Sequence, residues 1–515
     1  MTPAAPSGFL LATLEVLAAL FVFVVGLVAL ITLVLFVIDV SQTKHAIRRN
    51  YPVIGRFRYL FERLGEFFRQ YFFAMDREEM PFNRAERTWV YQAAKNADST
   101  VPFGSTKDLR PTGSVFFVNA PFPTLHADAV PPKPVTIGEY ADYPYTPRSF
   151  FNVSAMSYGA LSQPAVRALS RGARHAGCWL NTGEGGLSPY HLEGGCDIVF
   201  QIGTAKYGVR DADGRLDDDK LREVAAHDQV RMLELKLSQG AKPGKGGILP
   251  ACKVTPEIAR IRGIPAYQAS ISPNRHPEIG TVADLLDTIE RIRRVTRRPT
   301  GFKTVMGSRG WLEEVLRLVL ARGPERAPDF ITVDGAEGGS GAAPMSLMDN
   351  MGLPLREALP AVVDALTAYG LRERIKVVAS GKLVTPSNVA WALCMGADFV
   401  VSARGFMFAL GCIQAMQCNR DTCPTGVTTH NPKLQRGLVA EDKATRVMHY
   451  AKHITREVGI IAHACGVRYP QELARHHARV VIDSGTSRGM DELFPEVTPV
   501  DPRPREAASG NRPAD

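Results

Sequence analysis

Eight cysteines in 515 residues are too few and too scattered for a disulfide framework, and three of them, Cys412, Cys418 and Cys423, crowd into twelve residues. No zinc-finger spacing, RNA-binding signature or long basic tail is present, which argues against nucleic acid as a partner despite a net charge of +9. The first candidate strand is not followed by a GxGxxG fingerprint. Collagen-like, coiled-coil and mainly disordered chains are excluded by a composition of 45% hydrophobic and 22% charged residues. Glycine (45) and proline (36) run slightly high, as many tight turns require.

Charge is missing altogether from Val16 to Ile38, a run of 23 residues bounded by Glu15 and Asp39. As a helix it spans about 34 Å, enough for a hydrocarbon core of about 30 Å. Residues 1–14 hold no Lys or Arg, and the run is long for a signal peptide, so a single membrane span is expected. Residues 41–70 then carry seven Lys/Arg against two Glu, a surplus of +5, which suits anionic lipid headgroups and sets the following domain on the cytoplasmic side. Residues 44–76 mix these charges with Phe, Tyr and Leu; an amphipathic helix on the membrane surface and a cap on the next domain both fit. Residues 77–135 read as irregular, wrapping structure.

From about residue 150 apolar runs ending in Gly, Ser or Asn alternate with helical stretches. The candidate strands are 151–157, 178–183, 197–203, 232–238, 301–307, 329–335, 374–381 and 397–405. Helices are expected over 163–175, 281–295, 312–322, 355–369 and 386–395. Eight such units in about 260 residues predict an α/β fold, a (β/α)8 TIM barrel preceded by a transmembrane helix and a helical to irregular cap. The expected division is 1–40 anchor, 41–135 basic juxtamembrane and cap region, 136–480 barrel with the cysteine motif, and 481–515 tail, disordered from about 499.

Chemistry in such a barrel lies at the C-terminal strand ends. The segments Ser380-Gly381-Lys382 and Ser402-Ala403-Arg404-Gly405 close the last two strands with small residues beside cations, a pattern that suits a phosphate-bearing cofactor; tight turns alone would also explain it. Thr385-Pro386 reads as a helix N-cap followed by Pro. Lys236 and Lys303 lie inside strands, either at an outer edge, in a salt bridge, or facing a flavin ring whose reduced form is anionic. The cysteine trio suits an iron–sulfur cluster; zinc with His430 as fourth ligand and unliganded buried thiols stay open.

The segments SAMSYGALS (154–162), NTGEGG (181–186), QGAKPGKGG (239–247), EGGSGAAP (337–344) and CIQAMQCNRDTCPTGV (412–427) occur in the order of, and resemble, the FMN-binding synthase domain of glutamate synthase. HAIRRNYPVIGRFRYLFE (45–62) resembles the stand-alone, membrane-anchored members of that group. The resemblance implies FMN and a 3Fe-4S cluster held by Cys412, Cys418 and Cys423. It implies FMN contacts at Met156, Ser157, Asn181, Gln201, Lys236, Lys303, Gly338, Gly339, Ser340, Gly381 and Ala403. It implies catalytic roles for Lys242 and Gln239 near a 2-oxo acid such as 2-oxoglutarate, and for Glu184 at the ammonia entrance. The partner implied is an electron donor, ferredoxin or a reductase subunit; ammonia is expected either free or from a separate amidotransferase subunit. Lys245 and Ile248 replace an acidic residue and a glutamine of the usual motif, and Ala336-Glu337 stands where His-Asp is common. Two rivals follow: the same cofactors acting on another 2-oxo or imino acid or amine, and a membrane-tethered electron-transfer subunit without turnover.

Overall fold

The computed structural model describes residues 7–483 and 485–498, so the tail expected from 499 lies outside the described residues. The chain divides into two compact units, Met1–Ala85 and Glu86–Asp515.

In the first unit one helix, Ser7–Ser41, is long and apolar enough over Leu10–Ser41 to cross a membrane. It turns through a short helix, Ala46–Asn50, into a third helix, Gly55–Phe68, which runs on through a π-type turn, Arg69–Phe73.

The second unit is built around a closed, all-parallel barrel of eight strands. They are β1 Phe151–Val153, β2 Leu180–Asn181, β3 Ile198–Ile202, β4 Val230–Lys236, β5 Thr300–Thr304, β6 Phe330–Asp334, β7 Lys376–Ser380 and β8 Phe399–Ser402. Each pairs with the next in sequence, and β8 returns to β1 through Val400↔Phe151 and Ser402↔Val153. All eight expected runs form strands, because a sheet covered by helices outside and side chains inside needs apolar residues on both faces. The expected helices form as well. Two of them show why they start where they do. Ser162 accepts from the Ala165 N–H, with Pro164 in the first turn, and Thr281 forms a capping box with Asp284. Helix Pro386–Cys394 begins after Thr385 as expected, but the Thr385 hydroxyl donates to Asn388 Oδ1 (2.6 Å) instead of capping a backbone N–H.

Trp179, Val199, Met232, Phe330, Val378 and Phe399 fill the floor of the barrel. The Ile137–Tyr145 bridge joins the same cluster, and Tyr145 donates to Asp197 (3.1 Å). Three elements depart from the expected rhythm. Helix Arg84–Ala94 lies within the stretch read as irregular. A three-stranded antiparallel sheet joins Val115–Phe117 to Ala478–Asp483 and Thr486–Gly489. A 25-residue helix, Ala440–Ala464, packs on Gln163–Ala176 so closely that a Cβ on Gly172 would stand 2.5 Å from Val447.

Candidate active site

Side chains alternate along a strand, so Met232, Glu234 and Lys236 of β4 share one face, and that face is the barrel interior. Above the apolar floor the buried Glu234 carboxylate accepts from Asn181 Nδ2 (2.9 Å), Gln201 Nε2 (2.7 Å) and Thr332 Oγ1 (2.5 Å). A carboxylate only accepts, so it fixes both amides with their NH2 groups toward it and leaves their carbonyl oxygens as acceptors. Asn181 Oδ1 takes the Gly183 N–H (3.0 Å).

One layer higher, Lys236 and Lys303 are register neighbours on β4 and β5. Each has its own carboxylate: Lys236 Nζ lies 3.1 Å from Glu184, and Lys303 Nζ 3.1 Å from Asp334. The salt-bridge reading of these lysines therefore holds and the outer-edge reading does not. At Lys303 burial pulls the pKa down, but Asp334 and Glu234 outweigh it and hold the group above its ordinary value, so it is charged. Lys236 also donates to Gln239 Oε1, whose amide in turn donates to the Gly339 carbonyl (3.0 Å). Glu184 is enclosed by Gly203 and Gly247; a Cβ on either would come within 2.6 and 2.5 Å of its side chain. Burial opposes its ionisation, yet Lys236 and Lys242 hold it below the usual carboxylate range. Lys242, buried in the loop after β4, is pushed down to about 8, first by burial and then by Lys236, with Glu184 opposing.

The loops over β4 and β6 approach backbone to backbone. Asp334 Oδ2 accepts the Gly240 N–H (2.9 Å), and a Cβ on Gly240 would stand 2.3 Å from Gly335 O and 2.5 Å from Gly338 Cα. Gly240→Ala is expected to cost about 1–3 kcal/mol, because only backbone can move aside; urea unfolding of the variant beside the parent measures it.

Gly381, at φ +140°, ends β7. Lys382 and Arg404 flank this end of the barrel: burial and then Arg404 lower the Lys382 pKa, and burial lowers Arg404 to about 10. Two partly buried cations, one lowering the pKa of the other, beside a glycine turn and close to Gly339 (a Cβ there would lie 3.0 Å from Arg404 Nε), fit an anionic group such as a phosphate. Open space lies over Gly307 and Gly341, where a Cβ would meet nothing within 4 Å. Met156 and Ser157 pass against Gly183, whose Cβ would lie 2.6 Å from the Ser157 N. The Ser340 hydroxyl is spent within its own exposed loop, on the Ala342 carbonyl (2.9 Å).

The cysteine segment follows helix Arg404–Leu410. Cys412, Cys418 and Cys423 are free thiols near enough for Cys412 to feel both others electrostatically. Among the described residues no three His, Cys, Asp or Glu side chains stand at metal-binding positions. Three soft sulfurs in one segment suit an iron–sulfur cluster in chemistry, although they are not closed around a centre. Burial pushes the Cys412 thiol up to about 12, whereas at Cys423 a hydrogen bond with Thr425 (3.4 Å) helps to outweigh burial and holds the thiol below its ordinary value. His430 is engaged elsewhere: its Nε2 bonds to the Gly159 carbonyl (2.8 Å), which leaves it a poor fourth ligand. Lys253, fully buried, donates to the carbonyls of Ala160 (3.0 Å), Cys418 (3.2 Å) and Thr428 (2.7 Å). It joins the segment after β1 to the cysteine segment.

The family model described as the conserved region in glutamate synthase matches residues 133–468, which contain the whole barrel and the cysteine segment. The chain belongs to the glutamate synthase family. It is 39% identical to the glutamate synthase large subunit-like protein YerD of Bacillus subtilis (strain 168), over 93% of this chain and 98% of that one. It is 32% identical to the archaeal glutamate synthase (NADPH) of Methanocaldococcus jannaschii, over 64% of this chain and 61% of that one, so it spans about three fifths of that relative. Among solved structures a mutant flavocytochrome b2 with pyruvate bound aligns with a TM-score of 0.45 at 14% identity, over 76% of this chain and 82% of that one.

The departures from the glutamate synthase motifs have local consequences. Glu337 accepts the Leu355 N–H (3.1 Å to each oxygen), so it caps helix Leu355–Ala368. Lys245 adds to the positive field that lowers the Lys242 pKa, where an acid would raise it. Ile248 pairs with Ile271 in a short antiparallel ladder. Sequence reasoning missed Glu234, Asp334 and Lys253. The first two were detectable: an acidic residue two places before Lys236, and one facing Lys303 from the next strand, share the inner face with those lysines.

Proposed function

We propose that this chain is an FMN- and 3Fe-4S-dependent oxidoreductase of glutamate synthase type. It reduces 2-iminoglutarate, formed from 2-oxoglutarate and ammonia, to glutamate with electrons from an external donor, ferredoxin or a reductase subunit. The observation that carries this is the buried array Glu184–Lys236–Lys242, in which one lysine is tuned to about 8 beside charged neighbours. When bound, FMN supplies hydride transfer to a carbon–nitrogen double bond.

The chain's own residues divide the work as follows. Met156, Ser157, Asn181 and Gln201 would hold the ring, with the amide orientations set by Glu234. Lys303, kept charged by Asp334 and Glu234, and Lys236 would place positive charge beside it. Gly338, Gly339, Ser340, Gly381 and Ala403 would line the cofactor, with the phosphate toward Lys382 and Arg404. Lys242 would bind a substrate carboxylate or give a proton at the reacting nitrogen, and a pKa near the working pH suits proton donation. Gln239 would hold Lys236 in place, and Glu184 would guide ammonia, free or from an amidotransferase subunit. Cys412, Cys418 and Cys423 would hold the cluster.

The apolar helix and the +5 block after it support a single membrane span with the barrel on the cytoplasmic side. A second reading, another 2-oxo or imino acid or amine as substrate, is favoured by Ile248 and Ala336 in place of polar residues.

Anaerobic purification with absorbance and electron paramagnetic resonance spectra tests the cofactors, and assays with reduced ferredoxin or dithionite test the substrate. Flavin absorbance, a 3Fe-4S signal and glutamate formation are expected. Colourless, iron-free folded protein would overturn the cofactor reading; turnover only with a different acid–amine pair would overturn the glutamate assignment.

A further inference from the structure

The segment 55–73 has no role in the chemistry above, yet it is the most aromatic stretch outside the barrel. Its helix Gly55–Phe68 and the following turn place Phe57, Phe61, Leu64, Phe68 and Phe72 on one side, within an arc of about 80° at 100° per residue. Arg58, Glu62, Arg63, Glu66 and Arg69 occupy the other side. The apolar side is uncovered: Phe61 is 64% and Phe72 67% exposed. An exposed phenyl stripe of this length in water is costly, at about 25 cal/mol per Å2.

Its place relative to the apolar helix is fixed. Asp39, near the end of that helix and fully covered, receives a bidentate pair from Arg56 (2.7 and 2.8 Å) and the Val53 N–H (3.0 Å). The first turn of the amphipathic helix is therefore clamped to the last turns of the apolar one. Ser41 and Gly55 are only 14 positions apart, so the aromatic stripe begins at the depth where the apolar helix ends.

We propose that residues 55–73 lie in the plane of the membrane, with the phenyl stripe sunk into the interfacial region of the bilayer and the arginines among the phosphates. This rests on the membrane-span reading above. Its physical basis is the match between an amphipathic helix bearing Phe and Leu on one side and Arg on the other and the headgroup–acyl boundary, together with continuity from the span. The Asp39–Arg56 pair is the elbow that sets the helix into that plane.

The test uses the full chain in vesicles of phosphatidylcholine and phosphatidylglycerol carrying lipids brominated near the headgroup or deep in the acyl chain. Phe61→Trp and Phe72→Trp are each compared with the parent, whose four tryptophans provide the background. The added emission is expected to fall by about twofold or more with shallow bromine and less with deep bromine. Added emission quenched no more than that of the parent tryptophans, in protein that resists alkaline carbonate extraction, would overturn the in-plane helix and leave the span standing; the stripe would then cover protein. Release by carbonate would overturn the span and the inference with it.

Discussion

Glu234→Leu is expected to lose bound flavin and about 4 kcal/mol or more of stability. The substitution fits an apolar strand but leaves Asn181 Nδ2, Gln201 Nε2 and Thr332 Oγ1 without their acceptor inside the barrel. Each stranded donor costs about 1–3 kcal/mol, and Lys303 loses one of the carboxylates that keep it charged. Glu234→Gln separates the two effects. Its carbonyl oxygen can still accept from both amides and its NH2 can face Thr332, so much of the stability should survive while the charge balance at Lys303 does not. Urea midpoints and flavin content of the two variants are the measurements. A Leu variant as stable as the parent and still yellow would show that the amides are oriented by something else.

Lys242→Met is expected to reduce the proposed amination by about 10²- to 10⁴-fold, the range for a lost general acid, while the folded protein keeps its flavin and becomes more stable at neutral pH. The pKa falls from an ordinary 10.5 to about 8. Below pH 8 the folded chain bears the full cost of a buried ammonium, on the order of 3 kcal/mol. Between 8 and 10.5 the unfolded chain holds more protons than the folded one, so the parent gains stability as pH rises through that window. The Met variant should lack this rise, and the parent's rate should fall as pH climbs through about 8. Thermal unfolding and rate profiles from pH 6 to 10 check both. Full amination by the variant would remove Lys242 from the chemistry and return weight to an electron-transfer role.

The barrel was legible because its strands are apolar on both faces, and β3 and β7 are as plain in the sequence as in space. The helix Ala440–Ala464 was not, because it buries one side only and follows the eighth strand, where the strand–helix rhythm has ended. The sheet joining Val115–Phe117 to Ala478–Asp483 pairs short segments more than 350 positions apart, which no local pattern reveals. At the site, the lysines were visible as charges out of place in strands. The buried acids of the strands were harder to see: Glu234, which orients the amides, and Asp334, which pairs with Lys303, stand in apolar runs, and a lone acid there reads as a strand edge until the inward parity is followed. The role of Lys253 depends on three carbonyls from two distant segments, information that side-chain types do not carry.

That lysine has a mechanical consequence. One ammonium gripping Ala160, Cys418 and Thr428 makes the turn above the first strand and the sulfur-bearing segment a single stiff body. Thermal breathing at one is then transmitted to the other, so the spacing between the barrel mouth and the thiols fluctuates far less than two surface loops riveted only by packing would allow.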